Sequence, residues 1–142
     1  MLSIENRAFR ALEYGCIRAK KGAPLAFRLN EIFTDAESVL QKYRPEEVVV
    51  ENAFYAKNVR TTLILGHVRG ILLLAGKRCG ANVVELSPRE IKRFVTGNGA
   101  ASKTRVQFMA TRHLGLKEPP RPIDAADALA CALAHGLSVT RG

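Results

Sequence analysis

Cysteine is scarce, acidic side chains are few, and no long hydrophobic run is present. The three cysteines, Cys16, Cys79 and Cys131, are odd in number and show neither a C-x-x-C pair nor zinc-ligand spacing. That excludes a disulfide scaffold and reads as reduced, mostly buried thiols of a cytoplasmic protein. No apolar run, that over residues 71–75 included, comes near the roughly 20 residues that a spanning helix needs, so no membrane role is expected. Residues 1–10 hold no apolar core of signal-peptide length. Acids number 13 against 22 Lys plus Arg, for a net charge of +9. Such an excess points to a polyanionic partner, nucleic acid before an anionic membrane surface. With 142 residues the expectation is one domain, 1–142, around one core.

The informative stretch is Val48-Val49-Val50-Glu51-Asn52-Ala53-Phe54-Tyr55. A β-branched run of this kind suits a strand buried on both faces, as in parallel sheets. Glu51 then sits at a strand's carboxyl end, where open α/β sheets place their chemistry. A solvated strand-ending acid with aromatics covering the sheet edge reads the same way.

Around it the pattern predicts an α/β order. Residues 2–5 and 12–18 form a hairpin turning near Asn6. Residues 24–43 repeat apolar positions at three and four and make an amphipathic helix that Pro45 closes. Residues 60–77 are helical, with apolar side chains round more of the circumference than one sheet covers, which suggests a second subunit. His67 on that helix has no neighbouring His or Cys and reads as packed or solvated. Residues 82–86 are a strand, completing a parallel crossover with the Val strand. Ser87-Pro88-Arg89-Glu90 has the form of a capping box opening a helix to about residue 95. A glycine-rich loop at 96–101 follows, and Ser102 caps a helix over 103–114 that Gly115 stops. Lys92, Arg93, Lys103 and Arg105 flank the loop. They are either ordinary surface charges or a phosphate-tracking surface, and the global charge favours the second.

A proline-rich connector delivers the last helix, which starts Ile123-Asp124-Ala125-Ala126-Asp127. Asp124 and Asp127 share one face of its first turn. Acids there complement the helix dipole without any further function. The surrounding residues are small or apolar, however, and two acids on a buried helix repel and call for a cation.

Six segments together resemble RuvC, the family of Holliday junction endonucleases with the ribonuclease H-like fold. They are Tyr14-Gly15-Cys16-Ile17-Arg18, Val50-Glu51-Asn52-Ala53-Phe54-Tyr55-Ala56-Lys57-Asn58, Gly66-His67-Val68-Arg69-Gly70, Pro88-Arg89-Glu90-Ile91-Lys92, Gly97-Asn98-Gly99-Ala100-Ala101-Ser102-Lys103 and Asp124-Ala125-Ala126-Asp127-Ala128-Leu129-Ala130. The resemblance implies a mixed sheet flanked by helices, with Glu51, Asp124 and Asp127 as catalytic, metal-binding acids. It implies Phe54 as an aromatic wedge at the junction centre and Lys92 and Lys103 as bases meeting the scissile strand. It further implies two Mg²⁺ ions, about 3.5–4 Å apart, a homodimer acting on four-way junction DNA, and the branch-migration proteins RuvA and RuvB as partners.

One family feature has no counterpart here. Members open with a strand of the form Ile-Leu-Gly-Ile-Asp-Pro-Gly, whose Asp is the remaining metal ligand, and Met1 falls where the second strand is under way. The expectation is a sheet without its central first strand and a chain that does not cut as it stands. A start placed too late, a degenerate paralogue that binds branched DNA without cutting, and a poorly folding fragment each account for this. A nucleic-acid-binding protein with no enzymatic ancestry explains the charge but not the acids.

Overall fold

A computed structural model describes residues 1–52 and 58–140; Phe54 lies outside the described residues. The chain divides into two compact units, residues 17–85 and residues 1–16 with 86–142.

In the 17–85 unit, helix α1 spans Leu25–Tyr43, strand β3 Glu47–Glu51, and helix α2 Val59–Arg78. Pro24 stands at the N-cap of α1, and Arg44 at its C-cap takes the left-handed conformation with φ 44°. Pro45, which has no N–H to continue the helical bonding, then ends the helix. Strand β4, Asn82–Leu86, pairs with β3. The Asn82 N–H donates to the Glu46 carbonyl at 2.8 Å, which sets the two strand starts side by side and makes the pair a parallel crossover around α2. Helix α2 approaches this pair at Gly76, where a Cβ would stand 3.0 Å from Val83 Cγ2 and 3.2 Å from Val48. Arg78 of α2 also reaches Glu37 of α1 at 3.2 Å, and Arg69 pairs with Glu85.

One expectation changes here. Val50 is buried, but Val48 and Val49 are half-buried, so β3 is not covered on both faces as its composition suggested. Its recorded pairing is with β4 in a two-stranded sheet. Helix α2, which carries Arg and His along its length, has the length and composition of a membrane-crossing helix, as helices of water-soluble proteins can also have. The run over 71–75 understated this, because hydrophobicity summed over a whole helix counts apolar residues that charges separate. Val59, Leu63, Leu65 and Leu74 of α2 are exposed, consistent with the sequence's surplus of apolar side chains. His67 is solvated, its Nδ1 donating to the Leu63 carbonyl at 2.6 Å.

In the other unit, strands β1, Leu2–Glu5, and β2, Ala8–Ala11, form an antiparallel hairpin with Leu2 opposite Ala11 and Glu5 opposite Ala8. The hairpin is where the sequence placed it, but its second strand is 8–11 and not 12–18. Asn6 and Arg7 both have positive φ, 51° and 65°, which makes a two-residue reversal and obliges the chain to pair at once. Helices α3, Pro88–Thr96, α4, Lys103–His113, and α5, Ile123–Thr140, complete the unit. Helix α5 is its core: Leu129, Ala130, Leu133, Ala134 and Leu137 are buried. Its Gly136 lets the hairpin approach closely, since a Cβ there would lie 2.7 Å from Phe9 and 3.0 Å from Ile4. The three cysteines are free; Cys131 is buried, Cys79 half-buried and Cys16 exposed, so only one is packed as fully as expected.

Candidate active site

The site begins at the first turn of α5. The carbonyl of Pro122 accepts the Ala125 N–H at 2.9 Å, starting the helix so that Asp124 and Asp127 project from neighbouring positions on one face. Ala125 and Ala126 between them are buried, and their small side chains let the turn lie against its neighbours. Asp124 is exposed. Asp127 keeps 31% of its side chain exposed, and Lys103 Nζ lies 3.1 Å from its Oδ2. Gln107 Nε2 donates to the other oxygen, Oδ1, at 3.3 Å. Of the two acids, Asp127 thus has a cation beside it, Lys103, which arrives from α4.

Helix α4 is held in place for this by the turn before it. The Thr96 hydroxyl donates to the Lys92 carbonyl at 2.8 Å, and the Asn98 side chain accepts the Ala100 N–H at 2.9 Å. Gly99 passes close to Arg89, where a Cβ would stand 2.9 Å from Arg89 Cγ. Ser102 then caps α4 by accepting the Arg105 N–H at 3.2 Å. The glycine-rich stretch is therefore a hydrogen-bonded turn, and the cations beside it are presented on two well-started helices. Arg93, Lys103 and Arg105 are exposed and Lys92 is half-buried. Among the described residues no ion pair joins Lys92 to Asp124 or Asp127.

The capping box of α3 is present as the sequence pattern requires. The Ser87 hydroxyl and backbone N–H donate to Glu90 Oε2 at 2.6 and 2.8 Å, and the Glu90 N–H donates back to Ser87 Oγ at 3.3 Å. The Ser87 hydroxyl first, and its backbone N–H second, hold the Glu90 carboxyl below the usual carboxylate range. A depressed carboxylate stabilises the fold above its unfolded pKa, and the contribution is lost as pH falls through the folded value. Ser87→Ala is therefore expected to destabilise the protein by about 0.5–2 kcal/mol at neutral pH in urea unfolding, and by less below the carboxylate range. An undiminished difference in acid would contradict the coupling.

Glu51 ends β3 and is exposed; the next residue, Asn52, has a side-chain oxygen that is buried without a hydrogen-bond partner. Carboxylate and amide oxygens of this kind suit a hard divalent cation such as Mg²⁺. Asp124 fits that role well, being exposed at a helix start, and Asp127 is already held beside a positive charge. Among the described residues no group of three or more His, Cys, Asp or Glu is gathered tightly enough to hold a metal by itself. Gln107 was not visible as a site residue in the sequence. Its one signal was its spacing of four from Lys103, which puts both on one face of α4.

Comparison with known proteins gives these features a context. The family described as "Crossover junction endodeoxyribonuclease RuvC" matches residues 1–135. The RuvC proteins of Heliobacterium modesticaldum and Moorella thermoacetica are 42% and 44% identical to this chain. The alignments cover 100% of this chain and 88% of the first relative, and 93% and 80% for the second. The solved structure of Thermus thermophilus RuvC superposes with a TM-score of 0.91 at 32% identity, over 99% of this chain and 87% of that one. The same relative in complex with a Holliday junction substrate superposes with a TM-score of 0.88 at 30% identity, over 99% and 86% of the two chains. The architecture is thus that of the α/β, ribonuclease H-like nucleases. Within that class, the chain belongs to the RuvC family of crossover junction endodeoxyribonucleases.

Proposed function

We propose that this protein resolves four-way DNA junctions by Mg²⁺-dependent phosphodiester hydrolysis, as a homodimer that nicks two strands of like polarity. The observation that carries the reading is the first turn of α5, where two oxygen-donor acids stand one turn apart with a lysine on one of them. Glu51, Asp124 and Asp127 would hold two Mg²⁺ ions. Bound there, divalent ions supply an activated water near neutral pH and offset charge on the attacking and leaving oxygens.

The chain's own residues do the rest. The three acids would hold the cations through hard oxygen ligands. Lys103, with 77% of its side chain exposed, can swing from Asp127 to the scissile phosphate and steady its charge; Lys92 approaches the same strand from α3. Phe54 enters the junction centre, where the lack of continuous stacking makes insertion less costly than in intact duplex. The exposed apolar side chains of α2, Val59, Leu63, Leu65 and Leu74, supply the dimer contact. RuvA and RuvB would deliver the junction, in the cytoplasm.

A second reading is favoured by the net charge of +9 and the exposed cations Arg93, Lys103 and Arg105, which can hold DNA without any metal. On that reading the chain binds branched DNA without cutting it. The test incubates an end-labelled four-way junction with the 142-residue chain, and with the same chain extended through its upstream in-frame codons, in Mg²⁺ and in EDTA. Paired nicks that need Mg²⁺ support the resolvase, and junction-selective binding without nicks in either form supports the binding module. Equal affinity for junction and plain duplex contradicts both.

A further inference from the structure

We infer that Gln107 is a positioning residue for the cation-binding acids: its amide holds one oxygen of Asp127 so that the other can pass from Lys103 to a divalent ion. This rests on the reading of the α5 first turn as a cation site.

The two donors on Asp127 differ in kind. Lys103 reaches Oδ2 at 3.1 Å on a long, exposed stem, and its charge competes directly with any incoming cation. Gln107 reaches Oδ1 at 3.3 Å from a half-buried position. It lies between Val106 and Ala110, which are buried, and its main-chain carbonyl accepts the Thr111 hydroxyl at 2.7 Å. An amide is neutral, so it fixes the carboxylate's rotamer without cancelling its charge. A carboxylate oxygen has more than one acceptor site, so Oδ1 remains usable as well. With Gln107 absent, Lys103 would be the remaining partner of Asp127 among the described residues, and its release to a phosphate would leave the carboxylate free to rotate. Residues that orient a metal ligand in this way typically change metal affinity 10–100-fold.

The test is a Mn²⁺ titration of the metal-free protein followed by electron paramagnetic resonance, with parent, Gln107→Met and Gln107→Asn. Methionine keeps the length and loses the donor, and asparagine keeps the amide but withdraws it. Both are expected to raise the Mn²⁺ dissociation constant about tenfold, with the metal-free melting temperature and the junction affinity in EDTA unchanged. A merely structural glutamine would lower the melting temperature, and a DNA-contacting one would weaken junction binding in EDTA. Either result, or Mn²⁺ affinity equal to the parent's, overturns the inference. Failure of the parent itself to bind Mn²⁺ would instead sink the cation site and the inference with it.

Discussion

Asp127→Asn is expected to lower Mg²⁺-dependent cutting of a four-way junction by about 10³-fold or more while leaving junction binding intact. The amide is the same size as the carboxylate and still offers an oxygen to Lys103 or Gln107, which contact the two carboxylate oxygens at 3.1 and 3.3 Å. The fold around the first turn of α5 is therefore kept. What is lost is the negative charge proposed to hold a cation. Cation stabilisation of the reacting phosphate is worth several kcal/mol, and each 1.36 kcal/mol is about tenfold in rate, so the loss of three or more decades follows. Binding should hold or improve, because an acid facing a phosphate is repulsive until metal neutralises it. The measurement is single-turnover cleavage beside a gel-shift titration, on whichever form shows Mg²⁺-dependent nicks, the 142 residues alone or the chain extended upstream. Equal losses of binding and cutting would show that the residue supports the fold or the DNA contact and not the chemistry.

Salt should act almost as strongly on binding. Raising monovalent salt from about 50 to about 200 mM is expected to weaken junction affinity by roughly 10³-fold or more, as for proteins that neutralise six to ten phosphates. The chain carries 22 Lys and Arg against 13 acids, and Lys92, Arg93, Lys103 and Arg105 stand on α3 and α4 either side of one hydrogen-bonded turn. Arg93→Ala is expected to reduce the slope of log affinity against log salt by about one. Lys103→Ala should reduce it by less, since the free protein already sets that charge against Asp127. A salt-independent affinity would remove the phosphate-tracking surface from the account.

The parts of this structure that could be read in advance are those with a local cause. Ser87 and Glu90 bond each other within one turn, so four consecutive residues announced α3. The helix over 24–43 was bounded by two prolines and differs from the observed α1 by one residue at its start. The hairpin's second strand was misplaced because its reversal uses Asn6 and Arg7 at positive φ, and arginine gives no turn signal. The apolar residues further on, Leu12, Tyr14 and Ile17, give the stronger strand signal, yet those side chains are exposed. Burial of β3 was overestimated because three valines state what a strand prefers and not how many neighbours cover it. At the site, the need for a cation beside Asp124 and Asp127 followed from charge alone. That Lys103 supplies it, and that Gln107 takes the second oxygen, depends on how α4 packs against α5, which no local pattern encodes.

The proposed function requires Glu51 to bind the same cation as Asp124 and Asp127, residues more than seventy positions away in the chain. Mn²⁺ affinity of the metal-free protein, compared between parent, Glu51→Gln, Asp124→Asn and a Glu46→Gln control one residue before the same strand, measures this directly. Glu51→Gln and Asp124→Asn are each predicted to weaken Mn²⁺ at least about tenfold, already the effect of losing a residue that only orients a ligand, with the control unchanged. Parent-like affinity in Glu51→Gln, with loss in Asp124→Asn alone, would contradict a shared site.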